Sequence, residues 1–265
     1  MPVDRVNNNL KIPYLLALVS ASGIALVYFF EAHSDFLAVF SNVFRSVIAI
    51  VALFASGFAL HNYWENLEST LSRIWLCFTI GMTFWFFSQL SWTISTLGFG
   101  IRNPYPSIAD VYRLVGYVAL FAAIFVYMGI FQSVISKKIV AIAATVALPT
   151  SAGIIPTILL AARGKVSQVN LTTLLVSVAY PIFDLLLFAQ ALLGLLVFTT
   201  TGLKGRVGGA WLLLNIGILM NVFGDMMLSY TNLNGAYYSG HPLELFFHIG
   251  YIFFALAFYT HTKQL

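Results

Sequence analysis

The chain has 265 residues, of which 60% are apolar and only 8% charged, and its mean hydropathy is +0.90. A soluble globular domain of this length cannot hide so much apolar side chain, so the composition predicts a polytopic membrane protein with the lipid bilayer as its first partner. The formal net charge of +4 is scattered over short connections rather than gathered in a patch, which argues against nucleic acid.

Eight apolar segments are predicted over 13–30, 36–60, 72–98, 108–132, 139–162, 171–200, 209–231 and 242–260, each near the roughly 20 residues that cross a bilayer. The expected fold is therefore all-α, a single transmembrane domain over 1–265 built as a bundle of about eight helices. The basic start at Arg5 and Lys11 and the small residues Ser20–Ser22 look like a cleavable signal, but the apolar run continues through Phe30, so the first helix is expected to be retained. Cys77 lies within an apolar run and is expected to pack.

Orientation follows from the basic residues of alternate connections. With a cytoplasmic N-terminus, that side holds Arg5, Lys11, Arg73, Lys137, Lys138, Lys204, Arg206 and Lys263, against Arg102, Arg163 and Lys165 on the other. This excess predicts both termini in the cytoplasm and a multi-pass protein of the cell membrane.

The second segment descends from the outside and carries Arg45 roughly 13 Å deep, nine residues after Phe36 at 1.5 Å each. The third brings Trp85, Gln89 and Trp92 to one face of its outer half. Before the fourth, Pro104 and Pro106 set an extended lead-in, and Ser107 and Asp110 have capping-box spacing for a helix start. Arg113 follows one turn later on the face of Asp110, so a carboxylate and a guanidinium are expected to enter the apolar layer together. Tyr180 and Asp184 stand one turn apart around Pro181, which is expected to kink the sixth segment. Asn221 and Asp225 share a face of the seventh, and Glu244 and His248 a face of the eighth.

A charge in hydrocarbon costs several kcal/mol unless it is paired or faces a cavity, so these groups are expected to converge in the outer half of the bundle. Arg45 and Arg113 stand against Asp110, Asp184, Asp225 and Glu244, a net-acidic pocket that favours a small cation, an amine or a proton, with Gln89, Tyr180, Asn221 and His248 as further binding candidates. Trp85, Trp92 and Tyr180 would add cation–π capacity. The plainer alternative stays open for several members: Asp110 as a cap, Glu244 as a dipole-favoured first-turn acid, and His248 as a hydrogen-bonded core residue. No cofactor is expected. A divalent metal, zinc or manganese on Glu244, His248 and two aspartates, is a weak candidate, because the chain has no HExxH pattern and no cysteine cluster. Retinal and haem are disfavoured by the absence of a mid-helix lysine and of a second deep histidine.

Three stretches together carry a resemblance: Pro104-Tyr105-Pro106-Ser107-Ile108-Ala109-Asp110-Val111-Tyr112, Ala179-Tyr180-Pro181-Ile182-Phe183-Asp184-Leu185-Leu186-Leu187, and Gly224-Asp225 followed by Tyr237-Tyr238-Ser239-Gly240 and the helix from Pro242. In order and spacing they resemble the multi-helix membrane region that precedes GGDEF and EAL output domains in bacterial cyclic-di-GMP signalling proteins. That resemblance implies a sensory input module and highlights Asp110, Tyr180, Asp184 and Asp225. No output domain follows before Leu265, so a signal is expected to pass to a separate membrane or cytoplasmic partner protein. Gly224-Asp225-Met226-Met227-Leu228 with Gly240, His248 and Tyr251 is similar to patterns in lysoplasmalogenase-type membrane hydrolases, which implies paired aspartates acting on water. The expectation is thus a sensor-like, ligand-binding membrane protein rather than an enzyme, with an intramembrane hydrolase, a structural subunit of a membrane complex or a small-solute transporter as alternatives.

Overall fold

The computed structural model describes residues 3–30, 35–101, 103–133, 135–147, 171–201, 208–233 and 235–264, and among these the regular structure is entirely helical. The helices are α1 (Val3–Phe30), α2 (Asp35–His61), α3 (Thr70–Thr93), α4 (Ile108–Ile130), α5 (137–147), α6 (Leu171–Thr201), α7 (Gly208–Leu233) and α8 (Glu244–Gln264). A π-helical turn over Ile94–Gly98 extends α3.

Seven of them contain stretches long and apolar enough to cross a membrane: Lys11–Phe30, Asp35–His61, Thr70–Gly98, Ile108–Ile130, Leu171–Thr199, Gly208–Asn232 and Glu244–Lys263. The predicted fifth segment, 139–162, is helical over 139–147 within α5, and its remainder lies outside the described residues. The same holds for the predicted connections at 31–34 and 163–170 and for Arg102, Arg163, Lys165, Lys204 and Arg206.

Local sequence accounts for the helix ends. Ser69 caps α3 by accepting from the Ser72 N–H at 3.1 Å. At α4 the Ser107 hydroxyl accepts from the Ala109 N–H at 3.2 Å while Asp110 accepts from the Ser107 N–H at 2.7 Å, closing a capping box. The helix assignment of α6 runs through Pro181 without interruption.

The helices close into a ring. α2 packs on α3, α3 on α4, α4 on α6, α6 on α7, α7 on α8 and α8 back on α2, while α1 lies outside against α8. Consecutive helices joined by short connections are antiparallel, whereas the ring neighbours α4 and α6, and α8 and α2, run parallel; this gathers the starts of α2, α4, α6 and α8 with the ends of α3 and α7. Bonds at that end mark it: Ser46 to Thr93 at 2.9 Å, Asn42 to Ser239 at 2.7 Å and Asn103 to Asn232 at 3.1 Å. Tyr63 and His261, 2.9 Å apart, mark the other.

α2 shows what the ring does to a helix. Val39, Val43, Val47, Val51, Phe54 and Phe58 form an exposed apolar stripe, whereas Ser41, Asn42, Arg45 and Ser56 are buried. Such an inside-out pattern suits a helix whose surroundings are hydrocarbon.

Two helix crossings bring backbone close to backbone. A Cβ on Gly81 would stand 3.3 Å from the Gly116 carbonyl oxygen, and one on Gly116 would run into the indole of Trp85. Gly217 and Gly250 are matched in the same way between α7 and α8, where a Cβ on Gly250 would collide with Asn221. These crossings seat Trp85 and Asn221 beneath the charges described below. Gly116→Ala is expected to destabilise the protein by about 1–3 kcal/mol through overpacking. Gly129→Ala, whose Cβ meets nothing within 4 Å, should show no loss, with thermal unfolding in detergent as the measurement.

Candidate functional site

Arg113, five residues into α4, crosses the ring interior to Asp225 on α7. Its Nη2 donates to Asp225 Oδ2 at 2.7 Å, to Asn221 Oδ1 at 3.4 Å, and its Nη1 to the Tyr251 hydroxyl at 3.3 Å. The guanidinium carbon lies 4.0 Å from the centre of the Trp85 ring, and the Trp85 indole N–H donates to the Arg113 carbonyl at 3.2 Å. The cation thus has a counter-ion, two neutral acceptors and an aromatic face, which are the compensations a buried guanidinium requires.

Tyr117 stands one turn further along α4, on the same face. Its hydroxyl lies 2.5 Å from Asp184 Oδ1 on α6 and in close contact with Asp225 Oδ2 on α7. A phenol has one proton to donate, so it satisfies one carboxylate. The second close contact becomes a hydrogen bond when the other carboxyl is the donor and the phenol oxygen accepts. Asp225 is charge-paired with Arg113, whereas Asp184 has no cation and is 1% exposed, so Asp184 is the carboxyl that could take such a proton. Asp184 Oδ2 has no partner, an arrangement far less costly for the carbonyl of a neutral acid than for a carboxylate.

A second cluster surrounds Glu244 at the start of α8. Oε1 accepts from the Tyr237 hydroxyl at 2.7 Å and the Gly240 N–H at 3.2 Å, while Oε2 accepts from Ser41 and, at 3.3 Å, from Tyr28. Gly240 aims its N–H from φ +86, a backbone conformation open to glycine, and a Cβ there would meet Leu37 at 3.1 Å. Tyr237 belongs to the connection before α8; its burial, reinforced by the Glu244 charge, holds its hydroxyl well above the ordinary tyrosine range and keeps it a donor.

The sequence-predicted residues therefore do not form one pocket. Asp110 and Arg113 were expected as a pair, but Asp110 is taken by its capping box and by the Tyr180 hydroxyl at 2.9 Å, and Arg113 reaches Asp225 instead. Asn221 also holds its place by donating to the Gly217 carbonyl at 3.0 Å. Gln89 donates to Thr93 at 3.0 Å, away from both carboxylate clusters. His248 has one ring nitrogen 2.6 Å from the Glu244 carbonyl and the other 3.3 Å from the Ser41 carbonyl, between the rings of Phe44 and Tyr28. Both nitrogens face backbone oxygen, and a neutral imidazole donates to one of them. Among the described residues no group of three or more His, Cys, Asp or Glu side chains is gathered as a metal site. Arg45 was expected to pair with a carboxylate, yet it makes no ion pair among the described residues.

Tyr117, Tyr28 and Ser41 are participants that sequence reasoning passed over, and Tyr237 and Tyr251 entered it only as parts of resembling stretches, with no role assigned. A signal was present for two. Asp110, Arg113 and Tyr117 follow one helix face at i, i+3 and i+7, and Glu244, His248 and Tyr251 another at i, i+4 and i+7. The other end of the ring is also more polar than expected, with Ser56, Ser72, Asn215, Thr260 and His261 buried.

Comparison with protein-family models, curated proteins and solved structures finds no match. The chemistry therefore rests on the geometry. Removing the charge of Asp225 in D225N strands Arg113 and should cost about 3–5 kcal/mol. D184N keeps the shape and offers Tyr117 a donor, so its loss should stay below about 1 kcal/mol in thermal unfolding; equal losses would place the negative charge on Asp184 instead.

Proposed function

We propose that the chain is a multi-pass protein of the cell membrane, with both termini cytoplasmic, and that it acts as a sensor-like module whose ligand is a proton. The observation that carries this reading is the single Tyr117 hydroxyl set between Asp184 and Asp225. Of a proton, a small cation and an amine, the proton is favoured because the space between the carboxyls is filled by that hydroxyl and Asp184 is shut off from solvent. An amine would have to displace Tyr117. A hydrolytic water would need the same place, which weighs against the intramembrane hydrolase.

Loss of the proton leaves two carboxylates competing for one phenol while one of them holds Arg113. The groups facing the pair are Asp110, Arg113 and Tyr117 from α4, Tyr180 from α6 and Tyr251 from α8, and Arg113 is the cation among them. The second charge therefore goes uncompensated, and the Asp184–Tyr117 contact between α6 and α4 is the one that yields. Pro181, three residues before Asp184, has no N–H to give to the α6 ladder, so a displacement of α6 would be taken up at that level. The displacement then reaches the cytoplasmic connections, where a partner protein reads it. The resemblance to sensory regions of cyclic-di-GMP signalling proteins supports the same role.

Trp85, stacked under Arg113, is a built-in reporter. Tryptophan fluorescence of the purified protein, with Trp85→Phe as the reference, is expected to change as pH rises and the proton leaves. In D184N that change should vanish. A D184N protein titrating with the wild-type midpoint would refute the proton reading.

A further inference from the structure

Arg45 lies on α2 with 6% of its surface exposed, and its Nε has no acceptor. Among the described residues it makes neither an ion pair nor a hydrogen bond; its guanidinium carbon stands 5.3 Å from the centre of the Phe247 ring. The face of one aromatic ring offsets part of the cost of burying a guanidinium, but it supplies neither a counter-charge nor an acceptor for five N–H groups.

No described carboxylate is free to turn toward it. Asp225 holds Arg113, Asp110 is held by Ser107 and Tyr180, and Asp184 lies against Tyr117 on α4. Glu244 accepts from Tyr237 and Gly240 on one oxygen and from Ser41 on the other, where the Tyr28 hydroxyl, which donates to Ser41 at 2.7 Å, also lies 3.3 Å away; swinging to Arg45 would abandon these bonds. Further unmade hydrogen bonds lie at the same end of the ring. Asn42 Oδ1, one turn before Arg45, has no donor, and across the α2–α3 contact the Trp92 indole N–H and the Thr96 hydroxyl are buried without partners. The two helices are joined there by Ser46, Thr93 and Asn42, and Trp92 packs edge-on to Tyr237, 6.4 Å between ring centres. Buried polar atoms are ordinarily satisfied, and four of those left without a partner, Asn42 Oδ1, Arg45 Nε, Trp92 Nε1 and Thr96 Oγ1, lie on α2 and α3 at the same end of the ring as the unpaired cation.

We propose that Arg45 binds one anionic oxygen group, a carboxylate or phosphate, at the end of the ring closed by residues 235–243, with Trp92 and Thr96 as neutral donors. The guanidinium fork matches the two oxygens of such a group, as an ammonium does not. The group belongs either to a soluble anion or to the headgroup of an anionic lipid entering between helices. This site is independent of the proton held at Asp184. The two are nevertheless neighbours, since Arg113 stands 5.5 Å from the same Phe247 ring.

The test uses the full chain in detergent, with inorganic phosphate titrated against sodium chloride at matched ionic strength, and the full chain in vesicles of phosphatidylglycerol or phosphatidylcholine. Melting temperature is the readout. A rise with phosphate beyond that with chloride identifies a soluble oxyanion, and a rise in phosphatidylglycerol alone identifies a lipid headgroup; either supports the site. The response should be absent in R45Q and retained in D184N. In R45K, which keeps the charge but loses the fork, the midpoint concentration should rise about tenfold, as for one lost charge-assisted hydrogen bond. R45K also decides the matter should R45Q fail to fold. No response in wild type, an equal response to chloride, or an unshifted midpoint in R45K would overturn the proposal.

Discussion

The ion pair between Arg113 and Asp225 crosses the inside of the helix ring from α4 to α7, and much of the surrounding structure makes those two charges tolerable there. Trp85 from α3 lies under the guanidinium, Asn221 and Tyr251 add acceptors from α7 and α8, and Gly116 and Gly250 give Trp85 and Asn221 their room. Four of the six helices of the ring, α3, α4, α7 and α8, therefore meet at one side chain or pack directly against it. Such a pair adds little net stability over an apolar core, but breaking it is costly, so it specifies how the helices are arranged.

Each buried carboxyl group of the set is met by a tyrosine hydroxyl. Tyr180 serves Asp110, Tyr117 serves Asp184 and Asp225, and Tyr28 and Tyr237 serve Glu244. A phenol suits this task in an apolar layer because its ring packs as a hydrocarbon while its edge carries a single donor. The single donor is also the limit that gives the Asp184–Tyr117–Asp225 unit its character: one phenol proton cannot serve both acids, and Asp225 has Arg113 besides while Asp184 does not. Where carboxylates have several donors, as at Glu244, no such shortage arises.

The all-helical character and the burial of the ionisable residues within the bundle were legible in the sequence because apolar length and burial of charge are local properties. The Ser107–Asp110 capping box was equally plain, being four residues long. Partnership was not legible. Asp110 and Arg113 share a face, and proximity in sequence made them look like a pair. Which carboxylate Arg113 meets depends on α7 lying across the ring from α4, and nothing within one helix encodes that. The tyrosines were missed for a related reason. In a chain with 13 Tyr and 24 Phe an aromatic at a helix position reads as packing, and only the i, i+3, i+7 run from Asp110 through Arg113 sets Tyr117 apart. Arg45 looked like one half of a salt bridge because the residue tally held four acids for two arginines; in the fold those acids are engaged elsewhere.

The central claim is that Asp184 carries a proton while Asp225 does not. Infrared absorption of the purified protein addresses it directly, since a protonated carboxyl group has a carbonyl band distinct from that of a carboxylate. At neutral pH the wild-type protein is expected to show a carboxylic-acid band that is missing in D184N and unchanged in D110N. A wild-type spectrum without that band, or a band that survives in D184N, would contradict the account.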